Sequence, residues 1–202
     1  MMRTVGVLLF EGFELLDVFG PLEMLGMLNK EFTIRLVAET VEVASAQGPR
    51  SITDDRTADR RDYDIVLVPG GMGTRREVEN VALRTWLIEA AAKAEIVASV
   101  CTGSALLARA GLLDGRRATS NKLAFDWVMT QGPKVDWQRC ARWVEDGKFF
   151  TSSGVSAGID MALALSARLC GIDRARQAAQ WAEYTWHEDS EDDPFAREEE
   201  NA

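Results

Sequence analysis

Residues 96–107, Ile96-Val97-Ala98-Ser99-Val100-Cys101-Thr102-Gly103-Ser104-Ala105-Leu106-Leu107, join an apolar run to a second apolar run through a cysteine and small residues. The first run, up to Val100, is short and contains β-branched residues, which favours a buried strand. The second run favours a helix. Ligand sites in open α/β sheets lie at the carboxyl ends of strands, and Cys101 stands at such an end. The stretch therefore predicts an α/β fold with a cysteine at its functional edge.

The alternation of strand and helix continues along the rest of the chain. Short apolar runs predict strands at residues 4–10, 32–38, 41–46, 64–68, 95–100 and 117–120, and a hairpin at 141–152. Apolar residues spaced by three or four predict helices at residues 14–28, 79–94, 102–110, 123–130, 157–170 and 173–186. Residues 48–61 are polar and predict irregular structure. The pattern predicts a three-layer α/β/α sandwich with a mostly parallel, doubly wound sheet, the flavodoxin-like architecture.

Charge divides the chain into a body and a tail. Residues 188–202 hold eight acidic residues and one basic residue, so the rest of the chain carries a net charge of only −2. A nearly neutral body offers no basic face for a phosphate backbone, and nucleic acid is not an expected partner. We expect one α/β domain over residues 1–188 and a solvated acidic tail over residues 189–202.

The chain shows no signal for a membrane or an export pathway. No apolar run reaches the roughly 18 residues that a membrane helix needs. The first apolar stretch, residues 5–10, is followed at once by Glu11 and Glu14, which is unlike a secretory signal. We therefore expect a cytoplasmic protein without a membrane segment.

Cysteine and histidine usage argues against metal and disulfide sites. The three cysteines, Cys101, Cys140 and Cys170, are odd in number and contain no Cys-x-x-Cys pair, and the only histidine is His187. This predicts no disulfide framework and no metal site. Neither Gly-x-Gly-x-x-Gly nor the phosphate-binding loop pattern occurs, so we expect no nucleotide cofactor.

Cys101 is the candidate nucleophile. Gly103 and Ser104 allow the sharp turn of a nucleophile elbow. The N–H groups and the positive end of the following helix favour a thiolate, so we expect the pKa of Cys101 to fall. A buried structural cysteine is the alternative, and it is the preferred interpretation for Cys140 and Cys170.

Glycines follow the strand that ends at Val68. The backbone N–H groups of Gly70 and Gly71, near that of Thr102 and the turn at Gly103, are candidates for an oxyanion hole or a substrate-binding loop. A tight turn between strand and helix is the alternative interpretation.

A carboxylate is the candidate proton carrier. Asp17 follows the first strand, where it could serve Cys101 as an acid and base or could cap the next helix. A Cys–His dyad is not expected, because His187 adjoins the acidic tail. The lack of an imidazole therefore favours the catalytic interpretation of Asp17.

These motifs resemble the ThiJ/PfpI superfamily, whose fold is similar to the class I glutamine amidotransferase domain. The matching segments occur in family order between residues 3 and 195: LDVFGPLE at 16–23, VPGG at 68–71, SVCTGS at 99–104, GLLDGRRAT at 111–119 and GVSAGID at 154–160.

Within the superfamily, the combination of Asp17 with Val100-Cys101-Thr102-Gly103 resembles the isonitrile (isocyanide) hydratase branch. The resemblance implies a cofactor-independent hydro-lyase that converts isocyanides into N-substituted formamides and forms a homodimer. Cys101 would be the nucleophile and Asp17 the general acid and base, with Thr102 hydrogen-bonded to Asp17. Asn121 stands where hydratases often carry histidine. We expect four residues to line the pocket: Glu14, Asn121, Ser153 and Gly154.

Two other functions fit the same cysteine. The first is a redox-responsive or protective protein in which Cys101 is oxidised beside a carboxyl group. The second is an enzyme that acts on glyoxal-type carbonyls through a cysteine and an acid.

Overall fold

A computed structural model describes residues 2–196. Its strands are β1 (Arg3–Leu8), β2 (Phe32–Ala38), β3 (Glu42–Ala44), β4 (Arg50–Ile52), β5 (Asp55–Arg56), β6 (Ile65–Val68), β7 (Ile96–Val100), β8 (Arg117–Ala118), β9 (Asp136–Trp137), β10 (Trp143–Asp146) and β11 (Phe149–Ser152). Its α-helices are α1 (Leu15–Gly26), α2 (Thr74–Glu77), α3 (Val81–Lys93), α4 (Gly103–Arg109), α5 (Phe125–Gln131), α6 (Ala157–Cys170) and α7 (Ile172–Trp181). No helix in this part of the chain is long and apolar enough to cross a membrane.

The main sheet has the order β10-β11-β7-β6-β1-β2-β5. Neighbouring strands are parallel except for the β10–β11 hairpin. Helices α1, α6 and α7 pack together, and α4 packs with α2, α3 and α5. The predicted three-layer α/β/α sandwich is therefore confirmed.

The central strands explain why the chain folds this way. Every residue of β6 and β7 is buried, because both faces of a parallel sheet are covered and an uninterrupted apolar run is favoured there. The same topology places the site. Strands β1, β6, β7 and β11 run parallel to one another, so the segments that follow their carboxyl ends meet at one edge of the sheet.

Residues 48–61 are more regular than predicted. They contain β4, β5 and a short 3-10 turn at Thr57–Asp59. The edge strand β5 is held by polar contacts, since Asp55 accepts hydrogen bonds from Arg35 at 2.5 and 2.6 Å and from Tyr63 at 3.0 Å. Such contacts leave no apolar period in the sequence, which is why this region predicted irregular structure.

The predicted solvated tail is anchored to the body within residues 189–196, although four of these eight residues are exposed. Asp193 is only 1% exposed, and the carbonyl of Ser190 accepts the N–H of Arg142 at 2.8 Å. Asp193 lies 3.7 Å from the cations of both Lys122 and Arg142. The acidic segment packs on the body because buried cations there need carboxylates. Residues 197–202 of the predicted tail lie outside the described part of the chain.

Candidate active site

Cys101 stands at the elbow between β7 and α4, as predicted. Its φ of 56° is left-handed, a sparsely populated conformation for a residue other than glycine. The surrounding backbone holds it there, because the Cys101 N–H donates to the carbonyls of Ser152 and Ser153 at 3.2 and 3.1 Å. Ser120 donates its hydroxyl to the Cys101 carbonyl at 2.9 Å. Strain maintained by several contacts is typical of functional residues.

Gly103 allows helix α4 to begin directly against β6. A Cβ at this position would lie 2.2 Å from the Val68 carbonyl oxygen. Gly103 therefore permits close packing of the elbow, and its part in an oxyanion or substrate-binding site stays a prediction.

Asp17 lies in the first turn of α1 and is fully buried. The N-cap of α1 is Glu14, so the alternative interpretation of Asp17 as a cap is wrong. Oδ2 of Asp17 accepts the Gly70 N–H at 2.8 Å, whereas Oδ1 is buried and accepts no well-formed hydrogen bond from the described residues. Oδ1 is thus available to a proton or to a substrate atom.

Burial sets the protonation of Asp17. It raises the pKa of this carboxyl from its ordinary value to about 7, and the nearby charge of Glu14 adds to the effect. The Gly70 N–H, the Cys101 thiol and the Val155 N–H oppose the shift only in part. Asp17 can therefore exchange a proton near neutral pH.

The pKa of the Cys101 thiol differs from the predicted one. Burial raises the pKa of Cys101 well above its ordinary range, and the adjacent Asp17 charge raises it further. The backbone of Thr102 and the N–H of Val155 favour the thiolate but do not overcome these effects. The predicted fall in the pKa is wrong, because Cys101 is only 7% exposed and faces an acid. In the resting pair Cys101 is a thiol and its proton is coupled to Asp17.

The glycine turn after β6 holds the site together. The Gly70 N–H binds Asp17, and the Gly71 N–H donates to Thr102 Oγ1 at 3.1 Å. Thr102 Oγ1 also lies 3.1 Å from the hydroxyl of Thr74. Both glycine N–H groups are thus bound to side chains, which leaves them unavailable to an oxyanion in this arrangement. Gly71 lines the cavity above Cys101, as a substrate-binding residue should. The Thr102 hydroxyl contacts the glycine turn and the Cys101 thiol, and not Asp17 as predicted.

Val155 is a site residue that the sequence analysis missed. It follows β11 at the same sheet edge, and its φ of 48° is a strained conformation for a β-branched side chain. Its N–H is directed to both Cys101 and Asp17. The rule that sites lie at strand ends pointed to this segment, but only Ser153 and Gly154 were selected from it.

A cavity of about 260 Å³ opens above Cys101. Two of the predicted pocket residues, Glu14 and Asn121, line it, whereas Ser153 and Gly154 line a neighbouring cavity. The wall also includes Arg75, whose guanidinium lies 3.9 Å from the centre of the Trp127 ring.

His187 belongs to another part of the molecule. Its N–H donates to Asp160 and its ring contacts the Asp192 carbonyl. Within residues 2–196, no three histidine, cysteine, aspartate or glutamate side chains are grouped so that they could hold a metal ion. The reactive groups gathered at the elbow are a thiol, a carboxyl group and backbone N–H groups.

Comparison with known proteins places this arrangement in a family. Residues 3–168 match the DJ-1/PfpI family. Isonitrile hydratase of Pseudomonas putida is 37% identical over 187 residues, covering 91% of this chain and 79% of that protein. The HTH-type transcriptional regulator GbdR of Pseudomonas aeruginosa is 30% identical over 174 residues, covering 82% of this chain and 46% of the regulator.

A solved structure of a similar protein has the same fold. The ThiJ/PfpI family protein from Pseudomonas syringae has a TM-score of 0.84 and 30% identity, and the match covers 91% of this chain and 76% of that one. The chain belongs to the DJ-1/PfpI family.

Proposed function

We propose that the protein hydrates isocyanides to N-substituted formamides, as a hydro-lyase that needs no cofactor. One observation carries the proposal: a buried carboxyl group with a pKa of about 7 lies beside the elbow thiol. Hydration of R–N≡C requires a soft nucleophile and a group that both gives and takes protons at neutral pH. The similarity to isonitrile hydratase of Pseudomonas putida supports the same reaction.

In the first half of the reaction, the Cys101 thiol passes its proton to the Asp17 carboxylate. The sulfur then bonds to the terminal carbon of R–N≡C while Asp17 returns the proton to that carbon. The triple bond becomes a double bond, and the product is the thioimidate R–N=CH–S on Cys101. The N–H groups of Thr102 and Val155 favour the negative charge that forms on sulfur.

In the second half, Asp17 takes a proton from water as the water oxygen bonds to the thioimidate carbon. That proton moves to nitrogen, which gives R–NH–CH(OH)–S. The C–S bond breaks, the hydroxyl proton returns to sulfur, and R–NH–CHO leaves. Asp17 and Cys101 end in their starting states, so the cycle consumes one water per isocyanide.

The redox alternative is weaker at this site. Oxidation of cysteine follows thiolate character and exposure, and Cys101 is buried with a raised pKa. Mild peroxide followed by mass spectrometry separates the two functions. Selective addition of two oxygens to Cys101, in a protein without isocyanide turnover, would favour the sensor.

The direct test is product identification. Wild-type protein incubated with benzyl isocyanide should form N-benzylformamide, detected by NMR, and Cys101→Ala should form none. Cys140→Ala is the matched control, since Cys140 is a free and exposed cysteine, and it should retain full activity. A parallel assay with methylglyoxal tests the carbonyl alternative. Wild type that leaves a panel of isocyanides unchanged, or a Cys101→Ala variant as active as wild type, would overturn the proposal.

A further inference from the structure

A second cavity, of about 270 Å³, lies beside the Cys101 pocket. It is lined by residues 121–123, 153–156 and Phe195. Three of these residues, Asn121, Leu123 and Val155, also line the pocket above the sulfur. The two cavities are therefore neighbours with common walls.

Phe195 reaches this cavity from the acidic C-terminal segment. Phe195 is 60% exposed, so it lies outside the hydrophobic core, and it lines the cavity. Leu123, on the wall common to both cavities, is 97% exposed. Two large apolar side chains held in water around a cavity next to a reactive group are typical of a ligand site.

Asp193 fixes Phe195 in place. The Phe195 N–H donates to Asp193 Oδ1 at 3.1 Å, and the Asp193 N–H donates to the Cys140 carbonyl at 2.9 Å. The Asp193 carboxylate lies 3.7 Å from the buried cations of Lys122 and Arg142. The backbone of Phe195 is thus tied, through Asp193, to a buried ionic cluster.

The same cluster holds the common wall. Lys122 follows Asn121 directly, and its ammonium donates to the Ala141 carbonyl at 2.6 Å and to Thr119 Oγ1 at 2.9 Å. Asn121 accepts the Ala124 N–H at 3.0 Å. One framework therefore sets the distance between Phe195 and the pocket above Cys101.

The chemistry of the two cavities differs. The wall of the Cys101 pocket includes the charged side chains of Glu14 and Arg75. Outside the common wall, the second cavity is lined by the ring of Phe195, by small residues and by Lys122, whose ammonium donates to Ala141 and Thr119. The C–N≡C unit of an isocyanide is linear. When its terminal carbon meets the sulfur, the R group must project away from Cys101 toward the walls.

We infer that the second cavity is the subsite for an apolar R group, and that Phe195 determines specificity there. The inference rests on the proposed function and names its substrate class: isocyanides that carry an alkyl or aryl body. The volume suits one ring, since sites for drug-sized ligands begin at about 300 Å³.

Kinetics with a large and a small substrate test the subsite. For Phe195→Ala, kcat/KM for benzyl isocyanide should fall about tenfold, the usual effect of losing an apolar contact, while kcat/KM for methyl isocyanide changes less than twofold. Trp181→Ala removes another half-exposed aromatic ring that lines neither cavity, and it should affect neither substrate. Equal effects of Phe195→Ala on both substrates, or no effect on either, would refute the subsite.

A second readout does not depend on isocyanide turnover. Binding of N-benzylformamide and of N-methylformamide to the protein is measured by NMR titration. Phe195→Ala should weaken binding of the benzyl compound about tenfold and change binding of the methyl compound less than twofold. If wild type hydrates no isocyanide but this selectivity is present, the proposed function fails and the apolar subsite stands. If hydration occurs and Phe195→Ala changes neither selectivity, the subsite fails and the function stands.

Discussion

Two aspartates on neighbouring helices are equally buried and serve different ends. Asp17 on α1 and Asp160 on α6 are both fully inaccessible to solvent, and the two helices pack against each other. Asp160 binds the Arg142 guanidinium at 2.6 and 2.7 Å, the Tyr184 hydroxyl at 3.0 Å and a backbone N–H at 3.0 Å. Asp17 accepts the Gly70 N–H, lies near the Val155 N–H and the Cys101 thiol and, among the described residues, has no cation paired with it.

The difference shows how neighbours decide the role of a buried acid. A carboxylate with a cation and filled hydrogen bonds is part of the framework, and removing it leaves an unpaired buried charge. A carboxyl group buried without a cation holds its proton more tightly and releases it near neutral pH. Asp17 is therefore suited to proton transfer, whereas Asp160 is suited to holding the C-terminal segment.

The largest effect should follow the loss of the catalytic acid. Asp17→Asn keeps an acceptor for the Gly70 N–H but cannot carry a proton. We expect kcat/KM for isocyanide hydration to fall by about 10²–10⁴-fold, the usual contribution of a general acid and base. Steady-state kinetics measure the loss, and circular dichroism checks that the variant is folded. Activity within tenfold of wild type would mean that the two aspartates do not differ in function as argued.

Replacing Asp160, the aspartate paired with Arg142, should lower the stability of the fold. Asp160→Asn leaves the Arg142 cation buried without its counter-charge, which should cost about 3–5 kcal/mol in the free energy of unfolding. Urea denaturation measures this change. Asp136→Asn, at an exposed strand position, is the control and should change stability by no more than about 0.5 kcal/mol. A loss below about 1 kcal/mol for Asp160→Asn would show that the ionic cluster does not stabilise the fold.

The pH dependence of the free energy of unfolding reports the raised pKa of Asp17. The pKa of Asp17 is higher in the folded protein than in the unfolded chain, so its contribution is fully present below about pH 4 and is lost as pH rises through about 7. The amide introduced by Asp17→Asn does not titrate. The stability of this variant relative to wild type should therefore increase between pH 4 and 8, by up to about 4 kcal/mol. A difference that stays constant over this range would contradict the raised pKa.

A smaller effect is expected at the glycine turn. Thr102→Val removes the oxygen that accepts the Gly71 N–H, which should cost about 1–3 kcal/mol of stability because the N–H loses its partner. Thr102→Ser keeps the hydroxyl and should lose much less. Thermal or urea unfolding of the two variants gives the comparison. Equal losses would assign the role of Thr102 to its methyl group.

Most of the fold and part of the candidate active site could be predicted from the sequence. The strand at residues 64–68 and the elbow at Cys101 were predicted because uninterrupted apolar runs and strand-end placement are local signals. β5 was missed, since its edge position depends on Asp55 contacts with Arg35 and Tyr63. The family resemblance paired Asp17 with Cys101, although 84 residues separate them in the chain.

Two features of the site could not be read from local patterns. Burial of the sulfur and the charge of Asp17 raise the pKa of Cys101, and only the tertiary packing determines both. The position of Phe195 depends on the ion pairs of Asp193 with Lys122 and Arg142. These cations come from distant segments, so the acidic composition alone predicted a solvated tail. In both cases burial reversed the expectation from residue type.

The proton shared by Cys101 and Asp17 can be tested by the pH dependence of kcat/KM for a single isocyanide with the wild-type protein. The thiol needs the Asp17 carboxylate to accept its proton, so the rate constant should rise tenfold per pH unit below the transition and reach a plateau, with a midpoint near pH 7. A profile that is flat from pH 5 to 9, or that falls as the pH rises through 7, would show that the Asp17 carboxylate does not accept the Cys101 proton.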